Sequence, residues 1–118
     1  MARKVLIVDD AAVDRQNLER IVAAAGCFAL LADSGQQAID RARQDKPDLI
    51  LMDVNMPGMD GFAATRKLKA DADTKHIPVV FVTGKNQKAD MAWGQMLGAA
   101  GYVTKPYSRE QILAQLSA

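Results

Sequence analysis

One cysteine and one histidine stand among 118 residues, and that scarcity removes whole classes of chemistry. Cys27 alone cannot close an internal disulfide, and its ordinary use is as a small residue packed near a helix end. Together with His76 it cannot supply the ligands of a zinc site. His76 itself lies in a polar loop before Pro78, where it reads as an exposed loop residue and not a general base. Neither sign of charge dominates: 15 basic against 14 acidic residues leave a net charge of +1. No bulk field therefore attracts nucleic acid or anionic lipid. No apolar run approaches the roughly 20 residues of a membrane span, and an N-terminus with four apolar residues before two aspartates is no signal peptide. Linkers, repeats and low-complexity tracts are absent as well. What remains, 49% apolar, fits one compact domain over residues 1–118. It is expected in the cytoplasm, without membrane insertion or direct DNA binding.

The apolar residues that are present come in short runs. Residues 5–8 (V-L-I-V) form a continuous run that reads as a strand buried on both faces, as in a parallel sheet. Leu18, Ile21, Val22 and Ala25 then recur at helical spacing until Gly26 stops the helix. Phe28–Ala32 is the next strand, followed by a helix capped by Ser34 or Asp33 with Ala38, Ile39 and Ala42 as its apolar face. Leu49–Met52 is a third strand, broken at once by Asp53, Asn55, Pro57, Gly58 and Gly61. Asp60 caps a helix running to about Ala70, with Phe62 and Leu68 facing inward. A strand over 79–82 follows Pro78 and ends at Thr83-Gly84. A helix over about 87–97 has a weak apolar face (Met91, Trp93, Met96, Leu97), and a short strand over 102–104 runs into Lys105-Pro106. The last helix starts at Ser108 and buries Ile112, Leu113 and Leu116. Five strands alternating with five helices predict an α/β, doubly wound, five-stranded parallel sheet with right-handed crossovers, in the order 2-1-3-4-5.

The residues just past the strands carry the chemistry: Asp9 and Asp10, Asp53, Thr83 and Lys105. In that strand order they meet in one crevice at the carboxyl ends. Two unit charges about 4 Å apart cost roughly 1 kcal/mol in water and about 4 kcal/mol at a surface-like dielectric. Three carboxylates therefore call for a raised pKa or a cation. Lys105 offsets one charge, and Mg²⁺, which takes oxygen ligands and keeps several waters, suits the rest. Such a pocket fits a carboxylate that accepts a phosphoryl group as an acyl phosphate. Catalysis there is positioning and neutralisation of the equatorial oxygens. Asp53, on the central strand with partners on both sides, is the expected acceptor. Polar capping of strand ends explains any one of these residues, but not all of them together.

The acidic pair in V-L-I-V-D-D, the D-V-N-M-P-G-M-D-G loop, V-T-G and G-Y-V-T-K-P together resemble the receiver domain of two-component response regulators, over the whole chain. The resemblance implies a flavodoxin-like receiver fold with Asp53 as phosphoacceptor, charged by a histidine kinase or a small phosphodonor. Asp10, Asp53 and the backbone carbonyl of Asn55 would bind Mg²⁺, with Asp9 assisting. Thr83 and Lys105 would contact the phosphoryl oxygens, Tyr102 would be the aromatic switch, and the Lys105-Pro106 bond would be cis. Asn55 and Lys85 stand where the family modulates phosphoryl lifetime; a lysine at 85 either screens the phosphoryl group or recruits a partner. The pattern K-x-Q-x-x-D-x-x-W-G over 85–94 also resembles single-domain regulators of type IV pilus twitching motility, although Trp93 is equally explained as a packing residue.

A phosphorylation switch is thus expected, not a turnover enzyme. Its output would pass through the fourth helix, fifth strand and fifth helix to an unknown downstream protein. The chain would act as a monomer or weak dimer without an output domain. The alternative is a small Mg²⁺-dependent phosphatase with an aspartyl-phosphate intermediate. Such an enzyme needs an acid two residues past its nucleophile, and that position here is Asn55. A flavodoxin-like or nucleotide-binding module is disfavoured, because no G-x-G-x-x-G or P-loop follows the first strand.

Overall fold

A computed structural model describes residues 3–117. Ten elements alternate along the chain: β1 (Lys4–Val8), α1 (Ala12–Ala24), β2 (Phe28–Ala32), α2 (Gly35–Asp45), β3 (Leu49–Met52), α3 (Gly61–Ala70), β4 (Val79–Thr83), α4 (Lys88–Met96), β5 (Gly101–Thr104) and α5 (Arg109–Leu116). The strands form one parallel sheet in the order β2-β1-β3-β4-β5, the doubly wound order expected from the sequence. The polar residues the sequence places at the helix starts act as caps. Ser34, Asp60 and Ser108 accept hydrogen bonds from the backbone N–H groups of Gln37, Ala63 and Gln111.

Because strand side chains alternate between faces, each buried strand feeds two cores. Leu6, Val8, Ile50, Met52, Val79 and Phe81 pack under α2 and α3. Val5, Ile7, Leu49, Leu51, Val80, Val82 and Val103 pack under α1 and α5, against Leu18, Ile21, Val22, Ile112 and Leu116. Each fully buried aliphatic side chain contributes about 1.5–3 kcal/mol of transfer free energy, so β1, β3 and β4 anchor the molecule.

Ala25, which the spacing puts on the apolar stripe, is exposed because it is the C-cap residue just past the end of α1. Phe28 is also exposed, at 59%, at the start of the edge strand β2. The α4 helix is the least embedded element: Gly94 is its one buried residue, while Met91, Trp93 and Met96 face outward.

Candidate functional site

Strand register brings the polar residues together. Val8 pairs with Met52, Met52 with Phe81, and Thr83 with Thr104. The residues that follow, Asp9, Asp53 and Lys105, therefore gather at the carboxyl edge between β1, β3 and β5. Period-two alternation continues from Ile7 to Asp9, Leu51 to Asp53 and Val103 to Lys105, so all three lie on the α1/α5 side. Thr83 follows Phe81 onto the other face, where Tyr102 packs against the Phe81 ring at 5.9 Å.

Asp53 is 6% exposed. Its backbone N–H donates to the carbonyl of Val8, and its Oδ1 accepts from the backbone N–H groups of Val54 at 2.7 Å and Asn55 at 3.3 Å. The other oxygen, Oδ2, faces Lys105 Nζ at 3.5 Å. Gly61 makes this loop possible. A Cβ at that position would lie 2.1 Å from the Asp53 carbonyl oxygen, so the start of α3 rests directly on the Asp53 backbone. The sequence suggested Gly61 as a turn residue, but its role is close approach. Gly58, with φ +75°, is the residue that needs glycine's conformational freedom.

Asp9 is fully buried, and its Oδ1 accepts from the Ala11 N–H at 2.9 Å. Oxygens of Asp9, Asp10 and Asp53 lie within 4.8 Å of one another, the one such acidic cluster among the described residues. That spacing is close to the roughly 4 Å between opposite ligands of an ion held at about 2.1 Å, and the all-oxygen donor set suits Mg²⁺. Asp10 is the exposed member of the cluster.

Lys105 is followed by a cis Lys105-Pro106 bond, and its backbone N–H donates to the Thr83 carbonyl. Its ammonium reaches three carboxylates: Asp9 at 2.7 Å, Asp14 at 3.0 Å and Asp53 at 3.5 Å. Burial opposes its charge, but hydrogen bonds to Asp9 and Asp14 and the charge of Asp53 outweigh it, holding Lys105 above the ordinary lysine range. Burial also raises Asp9, with the Asp53 charge adding to it, despite the lysine and the Ala11 N–H. The two shifts share a direction but not a cause: burial dominates for Asp9, and the surrounding carboxylates dominate for Lys105.

Asp14 is a site residue that the sequence reading missed. The signal was available: it lies in the first turn of α1, the helix covering the face to which alternation assigns Lys105.

Thr83 is fully buried, and its Oγ1 accepts from the Lys85 backbone N–H at 3.3 Å. The Lys85 carbonyl in turn accepts from the Tyr102 hydroxyl at 2.7 Å. The Lys85 ammonium reaches Asp90 on α4 at 3.9 Å, a partner the sequence did not suggest. Asn55 is exposed, and Trp93 lies under the Arg66 guanidinium at 5.6 Å.

The family model for the response regulator receiver domain matches residues 5–117. The chain belongs to the response regulator receiver family. This receiver is 45% identical to Protein PilH of Pseudomonas aeruginosa, over the whole chain and 97% of that protein. It is 40% identical to response regulator PleD of Caulobacter vibrioides over 98% of this chain, which spans 26% of that longer protein. Among solved structures it superposes on chemotaxis protein CheY4 of Vibrio cholerae with a TM-score of 0.92 and 31% identity, covering 99% of this chain and 98% of that one. The receiver domain of sensor histidine kinase PA1611 of Pseudomonas aeruginosa, described with a magnesium ion coordinated in its active site cleft, superposes with a TM-score of 0.90. It is 27% identical, over 99% of this chain and 96% of that one. Receivers of this family act as signalling switches. No described helix is long and apolar enough to cross a membrane.

Proposed function

We propose that this receiver is phosphorylated on Asp53 by a histidine kinase or a small phosphodonor, with Mg²⁺ held by Asp10, Asp53 and the Asn55 backbone carbonyl. Asp9 assists from beside the ion. The observation that carries the reading is the division of labour on Asp53: backbone N–H groups fix Oδ1 while Oδ2 faces the lysine. Oδ2 attacks phosphorus, the Oδ2–P bond forms, and the bond from phosphorus to the donor breaks with its electron pair leaving on the donor. Bound Mg²⁺ would neutralise phosphoryl oxygens on one side. Lys105 and the Thr83 hydroxyl, whose proton is free while its oxygen accepts from Lys85, supply the contacts on the others.

The readout follows from the same chain of bonds. When Thr83 turns toward a phosphoryl oxygen, the Lys85 N–H loses its acceptor, and the Lys85 carbonyl that holds Tyr102 shifts with it. Tyr102 then turns inward and reshapes the surface of α4, β5 and α5, through which the signal passes to a downstream protein. The 85–94 motif, together with the match along PilH, supports a place among twitching-type regulators.

Incubation with acetyl phosphate and Mg²⁺ is expected to add one phosphoryl mass to the wild-type protein and none to Asp53→Asn in intact-mass spectrometry. Label persisting on the variant would falsify the assignment. Sustained turnover of phosphomonoesters would instead favour a phosphatase, for which Asn55 offers no acid.

A further inference from the structure

We infer that Asp14 is a positioning residue that holds the Lys105 ammonium in standby, away from Asp53, and so sets how readily Lys105 reaches the phosphoryl group. The inference rests on Asp53 being the acceptor. An ammonium has three N–H donors, and here two are well used and one is not. Lys105 Nζ lies 2.7 Å from Asp9 and 3.0 Å from Asp14, both good hydrogen-bond distances, but 3.5 Å from Asp53 Oδ2. The three acceptors also differ in depth. The Asp9 and Asp53 side chains are 1% and 7% exposed, whereas that of Asp14 is 47% exposed. Asp14 thus draws the ammonium toward the mouth of the crevice. It borders an open cavity of about 360 Å³, shared with Asn17, Lys105, Pro106 and Tyr107. Asp14 is not part of the acidic cluster formed by Asp9, Asp10 and Asp53; its partner is the lysine.

A phosphoryl group on Asp53 Oδ2 brings new anionic oxygens to the inner side of Lys105. To meet them at full hydrogen-bond distance in the transition state, the ammonium moves inward and away from its outermost partner. Asp9 stands beside Asp53 on that inner side, so the contact that lengthens is the one to Asp14. An amide at position 14 keeps the size of the side chain and weakens that hold.

The test compares initial labelling rates with acetyl phosphate at saturating Mg²⁺. Asp14→Asn is expected to label about two- to fivefold faster than wild type, the range set by half-exposed ion pairs. Asp14→Glu, which retains a carboxylate, should restore the slower rate. The gain should be equal with phosphoramidate, a less charged donor, and should vanish when Asp14→Asn is combined with Lys105→Ala. An unchanged or slower Asp14→Asn rate overturns the inference. So does a gain that persists without Lys105 or scales with donor charge, because Asp14 would then act only by repelling anions. Wild-type protein that takes no label removes the acceptor reading itself. Label on the wild type at the Asp14→Asn rate removes only the role of Asp14.

Discussion

The two oxygens of Asp53 have different partners, and that asymmetry depends on single residues placed with little tolerance. Backbone N–H groups orient Oδ1, so Oδ2 is the oxygen left facing Lys105. Asp71, outside the crevice, shows the contrast of a carboxylate whose contacts are structural. It accepts from the Asp73 backbone N–H at 2.9 Å and from Arg43 Nε at 2.7 Å, contacts that hold its carboxyl below the usual aspartate range. A depressed folded pKa gives stability that is present above the unfolded value, near 3.9, and is lost as pH falls through the lower folded value. Asp71→Asn is therefore expected to lower the Tm at pH 7, with the gap to wild type closing below about pH 4. A gap that stays constant in thermal melts down to pH 3 would rule this out.

At the scale of elements, the site depends on how α3 meets the loop after β3. The Gly61 N–H donates to the Val54 carbonyl at 2.9 Å, and no side chain fits between that helix start and the Asp53 backbone. Gly61→Ala should cost about 3 kcal/mol, at the upper end of overpacking, measurable by urea denaturation, and should slow labelling of Asp53 as well. Gly94→Ala should cost less, since the atoms it meets, at 3.1–3.3 Å, are ring edges of Tyr102 and Phe81 and not backbone. A Gly61→Ala protein as stable as wild type would mean that the helix start can withdraw freely.

The elements themselves were legible in the sequence because their signals are local. Apolar runs gave β1, β3 and β4, and Ser34, Asp60 and Ser108 marked the helix starts. The site was legible only as a set of strand ends. Asp14 and the tight seat of Gly61 were not, because each depends on which face of the sheet a residue occupies and how closely two elements approach.

Over the whole molecule, the sheet gathers more negative charge at its carboxyl edge than its one ammonium offsets. Folding alone leaves that excess in place, and a divalent cation relieves it. Addition of Mg²⁺ at ten times its Kd should stabilise the fold by about 1.4 kcal/mol, raising the Tm. Chelation should reverse the gain, and Asp10→Asn should weaken it without unfolding the chain, since Asp10 is exposed. Equal Tm values with and without Mg²⁺ at millimolar concentration would exclude binding in the crevice. The same excess makes the pocket receptive to a neutralising ion before a phosphoryl group arrives.

The stack of Arg66 on Trp93 gives the molecule an optical property. Trp93 is the single tryptophan of the chain, and it lies on α4, the helix with the least buried surface. A guanidinium 5.6 Å from its ring centre ties the indole's emission to the distance between α3 and α4. Tryptophan emission is therefore the signal of α4 and of its approach to α3, and the chain carries its own reporter without an added label.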